Sequence, residues 1–128
     1  MNQPDLSTER PTAVIVRLFD RIIASIEHAS ACCLSGDIEG RYHAVVAATD
    51  LLVALHDGLD LDSSDAWTQQ TGSIYRAILG ELPKVIIQSD RSVAAKAVRA
   101  LAPLRSAWAE ADAAAAMADR PFIAVAAE

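Results

Sequence analysis

The chain has 128 residues, of which 52% are hydrophobic but only 5% aromatic, and its net charge is -6. That length suits one domain with one core, and the Ala, Leu, Ile and Val that must fill it favour helices over sheets. The acidic balance excludes a nucleic-acid surface, which needs a basic patch.

No basic, apolar leader opens the sequence and no apolar run approaches about 18 residues, so a signal peptide and a membrane span are not expected and a cytoplasmic setting is. Pro11 suits the first turn of a helix, where its missing N–H costs nothing. An apolar pattern then runs to Leu34 and stops at Ser35-Gly36-Asp37, a C-cap followed by an N-cap. A second helix is predicted from Ile38 to His56, with Gly58 near its stop. Residues 57–65 are turn-rich and acidic, and Ser63, Ser64 or Asp65 can cap a third helix from Ala66 towards Gln88. After a turn at Ser89-Asp90-Arg91-Ser92, a fourth helix covers Val93 to Met117.

Four long helices with short links predict an all-α, antiparallel four-helix bundle in a single domain. Its core spans residues 11–117, with flexible tails at 1–10 and 118–128. Pro83 and Pro103 fall inside helices, and each removes a backbone donor and crowds the preceding turn. Apolar spacing continues past both, so kinks are expected rather than breaks; Leu82 marks where the third helix would split.

The apolar faces differ in width. At about 100° per residue, Val14, Ile15, Val16, Leu18, Phe19, Ile22, Ile23 and Ile26 fill roughly 200° of the first helix. One core stripe needs about 100° or somewhat more. On the second helix Ile38, Val45, Val46, Leu52 and Val53 make one stripe, which Ala44, Ala48, Leu51 and Leu55 widen by about 100° on one side. The fourth helix carries a narrow stripe: Val93, Ala97, Leu101, Leu104, Trp108 and Ala111. Extra width has two readings: a central helix touching two neighbours, or an exposed groove for an amphipathic helix of a partner.

Little points to catalysis. Cys32 and Cys33 are adjacent, which disfavours a disulfide between them, and lack zinc-site spacing to other ligands, so reduced structural thiols are expected. A di-iron bundle needs Glu-x-x-His pairs on two helices, whereas Glu39 and His43 are four apart and stand alone. His56 lies in an apolar arc and raises the alternative of a histidine phosphotransfer-like signalling domain. The aspartate that follows it, Asp57, would repel an incoming phosphoryl group. No cofactor, metal or enzymatic activity is expected. Trp108 reads as core, and Tyr75 as either packing or groove lining.

Two phrases carry a resemblance: Pro11-Thr12-Ala13-Val14-Ile15-Val16-Arg17-Leu18-Phe19-Asp20 and Leu104-Arg105-Ser106-Ala107-Trp108. With the Gly36-Asp37 break and Ile74-Tyr75 between them, the ordered set resembles the flagellin export chaperones of the FliS type over residues 9–112. That family shows Pro-x-x-Leu-Ile-x-x-Leu-Tyr-Asp early and Leu-Arg-x-Ala-Trp late. The chain departs in having Phe19 for the tyrosine, Ala47-Ala48 for a frequent Lys-Ala, and no tyrosine in residues 1–10, where the family has a self-capping segment.

The resemblance implies a cytoplasmic chaperone that binds the disordered carboxyl-terminal region of flagellin and delivers it to the type III export apparatus, with an export-gate component as a second partner. It also turns the extra arcs into candidate grooves: Val16 and Ile23 along one edge, and Ala48, Leu51 and Leu55 along another. The oligomeric state of the free chain stays open.

Overall fold

The computed structural model describes residues 9–119. They form α1 (Pro11–Ser35), α2 (Ile38–Asp57), α3 (Ala66–Glu81), α4 (Pro83–Gln88) and α5 (Arg91–Ala118), with no strand among the described residues. Helices α3 and α4 together take the place of the predicted third helix, so the architecture is the all-α four-helix bundle expected.

The expected flexible tails lie largely outside the described residues. Of the amino-terminal one, Arg10 is anchored: its guanidinium donates to Asp112 on α5 at 2.9 Å.

Local chemistry sets the helix ends. Gly36 closes α1 at φ 74°, the left-handed conformation that glycine adopts without steric cost, and the Asp37 N–H donates to the Cys32 carbonyl at 3.0 Å. Asp37 then caps α2 by accepting from the Gly40 N–H at 2.8 Å. A Cβ on Gly40 would lie 2.3 Å from that carboxylate and 2.9 Å from the Cys32 sulfur, so only glycine fits this tight reversal. Of the candidate caps for α3, Asp65 is the one used; it accepts from the Thr68 N–H at 3.0 Å.

Asp90 caps α5 by accepting from the Ser92 and Val93 amides. The two prolines behave differently. Pro83 begins α4 and Leu82 interrupts the helix, as expected, since the ring removes the donor that would reach the Leu79 carbonyl. Pro103 is exposed, and α5 runs through it as one helix.

Helix α1 is the centre of the bundle, with α2 along one side and α5 along the other. Phe19, Ile22 and Ile26 are buried on α1, against Val45, Ala48 and Leu52 of α2, Tyr75 and Ile78 of α3, Leu82 and Val85, and Leu101 and Leu104 of α5. Tyr75 is therefore packing rather than groove lining. Its ring lies 6.4 Å from that of Phe19, and burial pushes its hydroxyl up to about 12.

Acid should weaken this fold. Hydrogen bonds from Thr68 to Asp65, from Ser92 to Asp90, and from Arg10 and then Thr12 to Asp112 hold all three carboxyls below the usual aspartate value. A carboxyl depressed in the folded state adds stability above its unfolded value of about 3.9, and that stability is lost as the pH falls through the lower folded value. The melting temperature should hold steady down to about pH 5 and drop below about pH 4. Asp90→Asn with Asp112→Asn should flatten that acid limb, as followed by circular dichroism melts. An acid limb as steep as in the wild type would count against this account.

Candidate binding surface

The two sequence phrases meet in space. Asp20, which ends the first, accepts two hydrogen bonds from Arg105 in the second, at 2.9 and 3.3 Å. It is the middle member of a ladder across the α1–α5 seam. Arg10 and Thr12 reach Asp112 at one end, and Arg91 reaches the Ser30 hydroxyl at 3.2 Å at the other. Residue numbers rise on α1 as they fall on α5, so the helices are antiparallel and held in one register. The Asp20–Arg105 pair is exposed and the Arg10–Asp112 pair partly so, and surface ion pairs add about 0–1 kcal/mol each; their contribution is alignment more than strength.

Trp108, from the same phrase, is not fully core. It packs against the core edge and lies under Trp67, with ring centroids 5.9 Å apart and nearly edge-to-face. Trp67 is 42% exposed.

The candidate groove residues separate into surface and core. Val16 and Ile23 are half-buried on α1. By helical angle they lie on the side of Ser30, about 160° to 200° from Val14, which is the α5 seam. Leu51 is half-buried and packs against the core. Ala48 is fully buried and Leu55 only 7% exposed, so these two cannot line a surface groove in this fold. The extra width on α2 is real, but it opens at the opposite edge.

The buried α2 arc is Ala44, Val45, Ala48, Leu52 and Leu55, about 100° wide. Beyond Val45, the next about 80° carries Ile38, Tyr42, Val46, Thr49 and Val53. Ile38 is 65%, Tyr42 51% and Val53 39% exposed, while Val46 and Thr49 are half-buried. Spacings of four, four, three and four make this a continuous, largely apolar seam that stays exposed or half-buried among the described residues, the pattern of a helix that expects a partner. Tyr42 was the member hardest to find, because an aromatic hydroxyl breaks the aliphatic pattern.

A second concavity of about 670 Å³ lies between the carboxyl-terminal half of α1 and the amino-terminal half of α5. Its floor includes Ile26, Ala31, Leu34, Ala94 and Val98.

The titratable groups do not assemble a reactive centre. His56 is half-buried, and its Nε2 lies 3.1 Å from the Arg76 guanidinium; Asp57 stands 3.8 Å from its other nitrogen. His28 approaches the Cys32 sulfur at 3.6 Å, but burial pushes that thiol up, away from a reactive thiolate. Both cysteines are free. Among the described residues, no three His, Cys, Asp or Glu side chains gather as a metal site, and no helix is long and apolar enough to cross a membrane.

Comparison with known proteins agrees with the residue pattern. A family model described as flagellar protein FliS matches residues 2–115, nearly the whole chain. No curated protein matches it.

Proposed function

The chain belongs to the FliS family of flagellar chaperones, and from that premise we propose that it binds the disordered carboxyl-terminal region of flagellin in the cytoplasm. It keeps that region from polymerising early and hands it to the flagellar type III export apparatus, where an export-gate component is the second partner. The observation that carries this reading is the apolar seam of α2, Ile38, Tyr42, Val46 and Val53, left exposed or half-buried among the described residues.

A disordered segment that folds on binding loses about 2 to 5 kcal/mol in ordering. Burying Leu-sized side chains in the seam returns about 1.5 to 3 kcal/mol each, so two or three such contacts offset the ordering cost and leave a tight, reversible complex. The helix-in-groove mode fits the seam, because its residues repeat at helical spacing over four turns. Most of the narrow stripe of α5 (Val93, Ala97, Leu101 and Leu104) and the buried arc of α1 are occupied by the chain's own packing, which leaves α2 with the wider exposed apolar face among the described residues.

Size-exclusion chromatography with monomeric flagellin tests the proposal. A stoichiometric complex is expected, lost when the flagellin carboxyl-terminal region is deleted, together with slower filament growth in a seeded polymerisation assay. Independent elution of the two proteins and unchanged polymerisation would refute it.

A further inference from the structure

The α1–α5 groove carries a charge pattern that the α2 seam lacks. Arg91 and Arg99 stand on its α5 rim and Glu27 on its α1 rim, and its accessible apolar lining is Ala31, Leu34, Ala95 and Val98, over the buried Ile26 and Ala94. The residues between the two arginines on the groove side, Ala94, Ala95 and Val98, are small enough for another helix backbone to approach closely. Leu34, at one end, is 69% exposed.

Both arginines lack a carboxylate partner within 4 Å among the described residues, although the chain is acidic overall. Arg91 donates only to the neutral Ser30 hydroxyl, and Arg99 makes no side-chain hydrogen bond among the described residues. Arg10, Arg17 and Arg105 are each paired with a carboxylate, while Arg21, Arg41 and Arg76 also lack one within 4 Å among the described residues; Arg91 and Arg99 differ from these in flanking one apolar groove.

We infer that this groove binds an amphipathic helical segment bearing two carboxylates about two turns apart, read by Arg91 and Arg99. The inference rests on the flagellin-binding reading and deepens it: the segment belongs to the same carboxyl-terminal region, and the groove is a second, charge-selective site beside the α2 seam. Eight residues separate the arginines, or about 12 Å along α5, which a guest helix matches with acidic residues seven or eight positions apart. Its apolar face meets Ala31, Leu34, Ala95 and Val98, the accessible part of the lining. Glu27 repels a carboxylate on the opposite flank, so the guest is held in one rotational setting with its acidic edge towards α5. Each guanidinium fork donates two hydrogen bonds to a carboxylate, which a lysine would not match.

Isothermal titration of the full chain with a synthetic flagellin carboxyl-terminal peptide provides the test, at about 0.05 M and about 0.5 M salt to vary screening. Arg91→Glu with Arg99→Glu should lower affinity about tenfold or more at low salt, and the gap should shrink at high salt. Peptides whose Asp and Glu residues are changed to Asn and Gln, two turns apart, should lose a similar factor against the wild type. Against the double variant they should lose almost nothing more, the signature of one shared interaction. Arg91→Lys with Arg99→Lys should keep part of the affinity.

The fold should tolerate these changes. Both side chains are exposed, glutamate is a good helix former, and at the first turn of α5 it is favoured by the helix dipole. Unchanged affinity and salt dependence in the double variant, beside normal wild-type binding, would overturn the groove and leave the chaperone reading standing. Absence of any wild-type binding would overturn both.

Discussion

Leu55→Asp should unfold the bundle. The side chain is 7% exposed and belongs to the cluster formed with Leu52, Ala48 and the α1 core. Removing a buried leucine side chain costs about 2 to 5 kcal/mol by truncation alone. The introduced carboxylate must also leave water without a partner, or take up a proton to stay buried. The sum is a large part of the about 5 to 15 kcal/mol that holds a domain together. Far-ultraviolet circular dichroism at 25 °C should show lost helix or a melt displaced far below the wild type. Ala48→Asp should behave alike, because Ala48 has no exposed surface and no room for added atoms. A folded Leu55→Asp protein with a normal melt would mean that this arc of α2 is not core, and would restore it as a candidate groove.

Tyr42→Asp with Val53→Asp should give the opposite result. Both side chains are exposed, and neither belongs to the core cluster, so stability should move by no more than about 0.5 kcal/mol per site. If the α2 seam holds flagellin, each position sits at the centre of an apolar contact. Loss of such a contact costs about 2 kcal/mol or more, and the pair should weaken binding by about a hundredfold or more. Thermal unfolding and peptide titration on the same preparation separate the two effects. Normal binding by this variant would remove the α2 seam as the site.

The two experiments divide one helix into two faces, and that division was the step the sequence left open. The excess apolar width of α2 could be counted from Ile38 to Leu55 without any structure, because the angle between residues on a helix is constant. The count cannot say which edge of a wide arc turns inward. The inward direction depends on where α1 lies, and α1 approaches from the side of Ala48 and Leu55. Their small and branched side chains fill the contact, while Tyr42 and Val53 on the far edge stay exposed among the described residues. For α1 the bland reading of the width holds over most of its length: the helix is central and packs on α2 and α5 at once.

Other features were settled locally and were therefore legible. Gly36-Asp37, Asp65 and Asp90 end or start helices through bonds reaching only a few residues along the chain. The interruption at Leu82 follows from a proline ring and its own preceding turn. The family was legible for a related reason: its phrases keep their order and spacing along the chain.

What those phrases do was not legible. Asp20 and Arg105 are far apart in the chain and come together only because α1 and α5 run antiparallel in one register. Arg91 and Arg99 likewise read as ordinary surface charges until the fold sets them on the rim of an apolar groove with no carboxylate within 4 Å among the described residues. By itself, the sequence determined the helices, their caps and the amount of apolar surface, all consequences of short-range geometry. The tertiary structure decided which of that surface is spent on the core and which is left for a partner, because burial is a property of neighbours that sequence distance does not encode.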